Sequence, residues 1–500
     1  MIVVGSPPLS PDAAARRAAA GAEPVWVSSP GRSSDTTIAL DLVACDPVEV
    51  VRSGGLAELE RAWTRARRRW STGAPGAIPE AIGGASAGRG APPIAVGWLA
   101  YELARTWMMP RPGGAHRASS GPPTGAPGDG AAASAGDGWP AALEFRFFDA
   151  VWLRDRATAE AWVLATTAAA ASQLLARLSD GPGDASAALG TGAGEAGAPR
   201  LGSWSGAEDR ARHRAAVLRI QEYLRAGDVY QVNLTRRLVA AVGSDDPLWM
   251  ASELRAWAPA PHAIWLGGRS TPGGPLDRLV VGNSPERFLR VEPDGAVETR
   301  PIKGTRARGF RAPRAPGGDI LGAAAPELDP ELDEAARQAL LASAKDRAEH
   351  VMIVDLERND LGRVARVGSV ICRDVARAVA FPRVHHLVST VRARLRPDVG
   401  LEELLRATFP GGSITGAPKR RAMEIIDELE ATPRGIYTGA TGWLGAAGNL
   451  DLAVAIRTAV VDRGSVSLGV GGGIVLDSVP DDEWKETELK ARAFLELGRR

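Results

Sequence analysis

The chain has 500 residues, 45% of them hydrophobic, enough to bury a large core in one domain or two. Sixty basic residues against fifty-nine acidic ones give a formal charge of +1, so no global field draws in nucleic acid or an anionic membrane, and small molecules are the expected partners. Two cysteines, Cys45 and Cys372, exclude a disulfide framework and a thiolate metal cluster. No run approaches the ~18 apolar residues of a membrane span, and the four apolar residues that open "MIVVGSPPLS" are too few for a signal peptide, so a cytoplasmic location is expected.

In chain order, residues 1–23 are polar and broken by proline and read as a flexible N-terminus. The runs "PVWVSS", "TIALDLVAC", "IAVGWLAYEL" and "LEFRFFDAVWL", with the helical patch "GLAELERAWTRARRRW" among them, predict a mixed sheet domain over 24–179 that shows no catalytic cluster. Within it, 110–138 is Gly, Ala, Pro and Ser with little to bury and reads as a surface insertion; 180–205 has the same character and reads as a linker to a second domain over 206–500. That second domain opens with a helix from about Glu208 whose Val217, Ile220 and Leu224 share one face and whose stop is Gly227. The strand "VYQVNLTRRLVAAV" follows, with Tyr230, Val232 and Leu234 on one face and Gln231, Asn233 and Thr235 on the other. Alternation through Ala296–Arg300 predicts a further strand with Lys303 at its end, just before Gly304.

Three later constellations carry chemistry. "SAKDRAEHVMIVDLERNDLG" puts Asp346 and Glu349 on one helix, and "DDEWKETELKARAFLELG" puts Glu483, Glu486 and Lys490 at i, i+3 and i+7 on another. Each helix alone reads as a solvated charged face; facing each other, the two could hold Mg²⁺ by a carboxylate from each. The glycine-rich turns "FPGGSITGAPK" and "SLGVGGGIVLDS" are candidate anion seats, the first because Pro418 starts a helix whose free N–H groups point back at Gly411–Gly416, and neither matches a nucleotide-binding pattern. Arg457 in "LDLAVAIRTAVV" is a charge inside an apolar strand that a bound carboxylate would suit. The adjacent His385 and His386 lack companions at metal-ligand spacing.

Taken together, "YQVNL", "NSPERF", "RPIKGT", "KDRAEHVMIVDLERNDLGR", "HHLVST", "FPGGSITGAPK", "AIRT", "GGGIV" and "EWKETELK" resemble, in order from Ala207 to Phe494, the chorismate-utilising enzymes, and "PIAVGWLAYEL" is similar to that family's N-terminal region. The resemblance implies an α+β fold, a sandwich of large, mostly antiparallel β-sheets with outer helices. Anthranilate synthases carry alanine where this chain has Lys303, whereas the aminodeoxychorismate synthase branch carries "PIKGT". The implied reaction is therefore amination of chorismate to 4-amino-4-deoxychorismate, on the route to p-aminobenzoate and folate. Lys303 is the implied nucleophile and Glu286 the implied acid, with Glu349 and Glu486 as Mg²⁺ ligands and Glu483 and Asp346 in support. Arg457, Gly472, Gly473 and Lys490 match groups that hold the two substrate carboxylates. Thr305 and His386 match ring-side contacts, Thr415 of the glycine-rich turn is assigned to the same site, and Gln231 replaces a water-activating lysine of the isochorismate and salicylate synthases. Trp443 stands where the family usually has tyrosine, and the family's serine-containing inhibitor motif has only a loose counterpart here, "WVSSPGRSSDTT". Neither cysteine lies in a nucleophilic elbow, so a separate glutaminase subunit is the expected ammonia source. Anthranilate synthase component I and an inactive amidotransferase-binding subunit are the alternatives.

Overall fold

The computed structural model describes residues 1–6, 9–28, 40–52, 55–71, 92–109, 140–155, 159–179, 200–206, 209–243, 246–310 and 327–498. The predicted β runs pair antiparallel into a twelve-stranded and a ten-stranded sheet. The larger runs from Ile2–Gly5 through Val25–Ser28, His262–Gly268, Arg278–Ser284 and Ser465–Ile474 to Gln231–Ala241 and Gly416–Ala417. The smaller runs from Ile302–Ala307 through Val384–Arg394, Arg287–Val291, Leu450–Val454, Ala440–Gly445 and Pro93–Leu99 to Glu49–Arg52. Alternation decides the layering: Val25 and Leu42 join Ile94, Leu289 and Leu452 in a core built from both sheets, while their neighbours Trp26 and Val43 join a second core with Met250, Ala491 and Phe494 of helices Leu248–Trp257 and Pro480–Leu495. This is the α+β sandwich that the sequence predicts.

The expected division near residue 200 does not divide the sheets. Strands from both halves of the chain pair directly, Trp26 opposite Trp265 in the larger sheet and Trp98 opposite Thr441 in the smaller. Backbone groups left at either strand edge would need other partners, so each half completes the other. The N-terminus also departs from the flexible reading. Ile2–Gly5 pairs with Trp162–Ala165, and helix Pro11–Ala18, capped by Ser10, buries Ala13, Ala14 and Ala18; the alanines that look featureless in sequence suit a close helix-on-sheet contact. The 110–138 insertion, most of the 180–205 linker and most of "WVSSPGRSSDTT" lie outside the described residues. The predicted helix is Arg210–Arg225, with Asp209 as its cap, Val217 and Ile220 buried, and Gly227 at φ +78° beyond its end.

The strand that leads to Lys303 is interrupted, because Pro301 has no N–H to give the ladder. Ala296–Arg300 and Ile302–Ala307 both pair with Val384–Arg394. In the second pairing Lys303 faces Leu387 and Thr305 faces His386, so Gly304 is an extra, bulged residue, at φ +67°. A glycine bulge bends the strand and re-aims the side chain beside it. A methyl group at Gly304 would lie 3.0 Å from Leu340 Cδ1 and 3.2 Å from Asp346 Cβ, in a left-handed conformation that costs an L-residue about 1–2 kcal/mol. Gly304→Ala is therefore expected to lower unfolding stability by at least about 1 kcal/mol in a denaturant melt; an unchanged midpoint would show that the bulge is not needed.

Candidate active site

Glu286 sits where the chain crosses from one sheet to the other, between strand Arg278–Ser284 and strand Arg287–Val291. It is 4% exposed, and burial pushes its carboxyl up to about 7 in spite of hydrogen bonds from the Ser413 side chain and the Ile302 backbone and the nearby Lys303 charge. Lys303 is drawn below the usual lysine range by burial and by Lys490, against the pull of Glu349, Glu286 and Glu486. Its Nζ donates to the Ser413 carbonyl at 3.3 Å. Ser413 thus touches both groups. A lysine ammonium beside a carboxylate and a neutral amine beside a carboxylic acid hold the same number of protons, and burial penalises only the charged version. Burial thus moves both groups toward the pair in which the amine has a lone pair to give and the acid a proton.

Carboxylates surround this pair. A methyl group built on Gly472 would lie 3.2 Å from Glu483 Oε2 and 3.6 Å from Glu486 Oε1, so both side chains of helix Pro480–Leu495 converge on that glycine. Glu349, from helix Ala344–Gly362, is raised by burial and by Asp346 and Glu486; Glu483 is raised by burial and by Glu486. For Glu486 burial pushes up, but Lys490 at 2.7 Å holds the carboxyl below its usual range. These are hard oxygen donors on two helices, with Glu349 and Glu483 each raised in part by Glu486, a donor set that fits Mg²⁺. Among the described residues their oxygens are not gathered into a ready cage: Glu483 accepts from Ser478 Oγ at 2.7 Å, and Asp346 pairs with Arg306 at 2.9 Å. The Glu486 and Lys490 side chains are 48% and 39% exposed, and such an open ion pair is weak and exchangeable.

On the other side of Lys303, a methyl group on Gly473 would lie 2.3 Å from Gln231 Nε2 and 3.3 Å from Lys303 Nζ. Gln231 is fully buried with neither amide atom hydrogen-bonded among the described residues, a costly state for a side chain facing only protein. His386 Nδ1 donates to the Gly304 carbonyl at 3.1 Å and lies 3.1 Å from Thr305 Oγ1, leaving the buried Nε2 without a partner. Burial and the Arg457 charge pull this imidazole down to about 3, so it is neutral. Arg457, at φ +49°, is close enough to shift His386, and burial, with no carboxylate of the described residues beside it, draws it below the usual arginine range. Lys490 Nζ donates to the Gly471 carbonyl at 2.8 Å.

Two expected residues sit differently. Thr415 is fully buried and turns its hydroxyl into its own loop, donating to the Gly411 carbonyl at 2.9 Å. Trp443 is placed on strand Ala440–Gly445 opposite Asp451 and Val96, and its half-buried ring packs on the core between the sheets. The first glycine-rich turn, expected to seat an outside anion, offers its Gly412 N–H to the chain's own Glu357 at 2.7 Å. Sequence reasoning assigned no role to Ser413, Glu357, His350 or Arg434. A signal existed for Glu357 and His350: both interrupt the apolar stripe Ile353, Val354, Leu361 on their helix.

A fold of this kind, with a buried acid and amine ringed by carboxylates, cationic side chains and unpartnered polar atoms, defines an enzyme for a small anionic substrate. The sequence signature of the chorismate binding enzymes matches residues 41–496, and the chain belongs to that family. An aminodeoxychorismate synthase of Streptomyces griseus is 45% identical over 278 residues, 55% of this chain and 35% of that one. Aminodeoxychorismate synthase component 1 of Salmonella typhimurium is 42% identical over 294 residues, 59% of each chain, and anthranilate synthase component 1 of Acinetobacter calcoaceticus is 40% identical over 299 residues, 60% of this chain and 55% of that one. The matched part is thus between about a third and three fifths of each of these relatives. Anthranilate synthase component I from Streptococcus pneumoniae has the same fold, with a TM-score of 0.65 at 23% identity over 94% of both chains. No helix among the described residues is long and apolar enough to cross a membrane.

The raised Glu286 carboxyl has a consequence for stability. A carboxyl whose folded value lies above its unfolded one favours folding while protonated, so this contribution is full below about pH 4.5 and is lost as pH rises through about 7. The loss is on the order of 3 kcal/mol. Glu286→Gln, which cannot ionise, is expected to be more stable than the parent in urea at pH 8, with the gap closing at pH 5. A gap that is the same at both values would show that the carboxyl is ionised throughout.

Proposed function

We propose that the chain is the chorismate-aminating component of an aminodeoxychorismate synthase. The observation that carries this reading is Lys303, an amine aimed by a glycine bulge and drawn toward its neutral form by burial, beside the proton-bearing Glu286. The Lys303 lone pair attacks ring C2 of chorismate; both conjugated ring double bonds shift, C1=C2 to C1=C6 and C5=C6 to C4=C5, and the C4 hydroxyl departs as water with the Glu286 proton. Ammonia then adds at C4, both double bonds shift back, and the C2–N bond breaks as the amine leaves. The proton surrendered by the added ammonia restores Glu286. Arg457, without an internal carboxylate partner, and Lys490 suit the two substrate carboxylates, with the Gly472 and Gly473 backbone beside them. Gln231 cannot act as a base at neutral pH, which disfavours addition of water.

Glu349 and Glu486, with Glu483 and Asp346 beside them, are the residues that would hold Mg²⁺. Bound there, the ion would neutralise a substrate carboxylate and fix its position. Ammonia from a separate glutaminase subunit fits the "component 1" in the names of several relatives and the absence of a cysteine with a plausible base: Cys45 is buried and pushed up to about 12 by burial and Asp46. The anthranilate synthase reading is less well supported, because it leaves the buried lysine without work.

Two outcomes are expected. Lys303→Ala abolishes formation of aminodeoxychorismate from chorismate and ammonium, while the parent chain, given chorismate and no ammonia, acquires a mass-shifted adduct on the Lys303 peptide. Anthranilate as product, or an adduct on another residue, would refute the assignment. Chelation of divalent ions removes activity, and Glu349→Gln and Glu486→Gln each weaken Mg²⁺ binding, read by calorimetry on the purified variants. Full turnover in excess chelator would disprove the metal site.

A further inference from the structure

The buried stripe of helix Ala344–Gly362 contains His350, Ile353, Val354, Glu357, Asp360 and Leu361. Burying an acid is costly unless it is satisfied. Asp360 pairs with Lys419, whose Nζ also donates to the Thr408 carbonyl at 2.9 Å and the Pro410 carbonyl at 2.6 Å. His350 Nε2 shares a hydrogen bond with Ser389 Oγ at 2.5 Å, and that oxygen accepts the Ala376 N–H at 2.8 Å. Glu357 is different. It is 3% exposed, it has no cation of its own, and its single hydrogen bond among the described residues comes from the Gly412 N–H at 2.7 Å. Burial and the neighbouring Asp360 push its carboxyl above the usual range, against the pull of Lys419.

The turn above it is short. Gly412–Ile414 is one turn of 3-10 helix lying directly on the long helix, and a methyl group at Gly412 would meet Leu356 Cδ2 at 2.6 Å and Glu357 Oε1 at 3.1 Å. On one side Lys419 holds the carbonyls of Thr408 and Pro410; on the other Arg434 Nη1 donates to the Ile414 carbonyl at 2.9 Å. Between these anchors the Gly412 peptide sets where Ser413 points. Ser413 takes the Lys303 hydrogen bond on its carbonyl and gives one to Glu286 from its side chain.

We infer that Glu357 is a positioning residue of the active site: by holding the Gly412 N–H it sets Ser413, and through Ser413 it sets the relation between the Lys303 amine and the Glu286 carboxyl. The effect on turnover rests on the function proposed above; the effect on Lys303 itself does not. What the site needs from Glu357 is one acceptor oxygen at that place, which glutamine also supplies and a methionine of similar length does not.

The test compares Glu357→Gln and Glu357→Met in the full chain, each checked for its thermal midpoint. Met is expected to lower kcat with ammonium by about tenfold or more, because sub-ångström misplacement of reacting groups is costly, while KM for chorismate changes less than about twofold, since Arg457 and Lys490 lie off the turn. Gln is expected to recover most of that loss. The pH dependence of Lys303 acetylation by acetic anhydride, read by mass spectrometry, is expected to shift in Met and not in Gln, and this arm decides the inference even if the parent chain proves not to aminate chorismate. A folded Met variant with parental kcat and parental labelling overturns the inference, as does a Gln variant as impaired as Met. Should Met fail to fold, hydrogen exchange of the parent protein decides: slow exchange of the Gly412 amide supports the clamp, and exchange as fast as that of exposed loops overturns it.

Discussion

The guanidinium of Arg434 holds together what the rest of the site depends on. It is buried, so every donor must be met. Nη1 reaches the Ile414 carbonyl at 2.9 Å, Nη2 reaches the Asn233 carbonyl and Glu430 Oε1, each at 2.7 Å, Nε reaches Glu430 Oε2 at 2.8 Å, and the cation lies 4.5 Å from the Tyr101 ring centre. Glu430 in turn accepts from the Thr235 N–H and hydroxyl, and Glu102 accepts the N–H groups of Arg434 and Gly435. One side chain therefore ties together the strand that carries Gln231, the turn that carries Ser413, and the "AYEL" segment of the first half of the chain. That first half shows no catalytic cluster of its own, yet it supplies Tyr101 and Glu102 to the support of the turn.

A second constraint is electrostatic. Lys303 lies within the influence of Glu286, Glu349, Glu486 and Lys490, so its charge state belongs to the group and not to the residue alone. Burial alone would favour neutral forms everywhere. Glu486 and Lys490 are partly exposed at one end of the site, while the Glu286 end is sealed. The gradient runs from a dry end, where a proton can be held on a carboxyl near neutrality, to a wet end, where ionic groups can exchange partners. An anionic substrate with a hydroxyl to lose suits such a gradient.

Relatives named for two different reactions share one range of identity to this chain, 40–42% for some anthranilate synthases and 42–45% for some aminodeoxychorismate synthases. Overall likeness therefore speaks to the shared scaffold, and the reaction turns on a few side chains within it. Lys303 is the one on which the present proposal rests, and its setting extends outward in layers: Gly304 re-aims it, Ser413 receives its hydrogen bond, and the Gly412 peptide beneath is held by Glu357.

By itself the sequence determined the apolar faces and the ordered motifs that mark the family, because these follow from local periodicity and from residue types at short spacing, and the α+β class came with the resemblance those motifs carry. It also picked out Lys303, Gln231, Arg457 and the carboxylate pairs from their own elements, and Glu286 through the family motif that contains it. The tertiary structure decided the rest. Pairing of strands from the two halves cannot be read from either half, so the division near residue 200 dissolved into shared sheets, and the alanine-rich start became a packed helix. The hydroxyl of Thr415 turned inward and the Gly412 amide was taken by Glu357 because a buried polar atom binds whatever partner the fold brings near. Ser413, Arg434 and Glu357 gain meaning from what lies across from them in space, and apart from the Arg434–Glu430 pair the contacts that matter here join residues 20 to 201 apart in the chain.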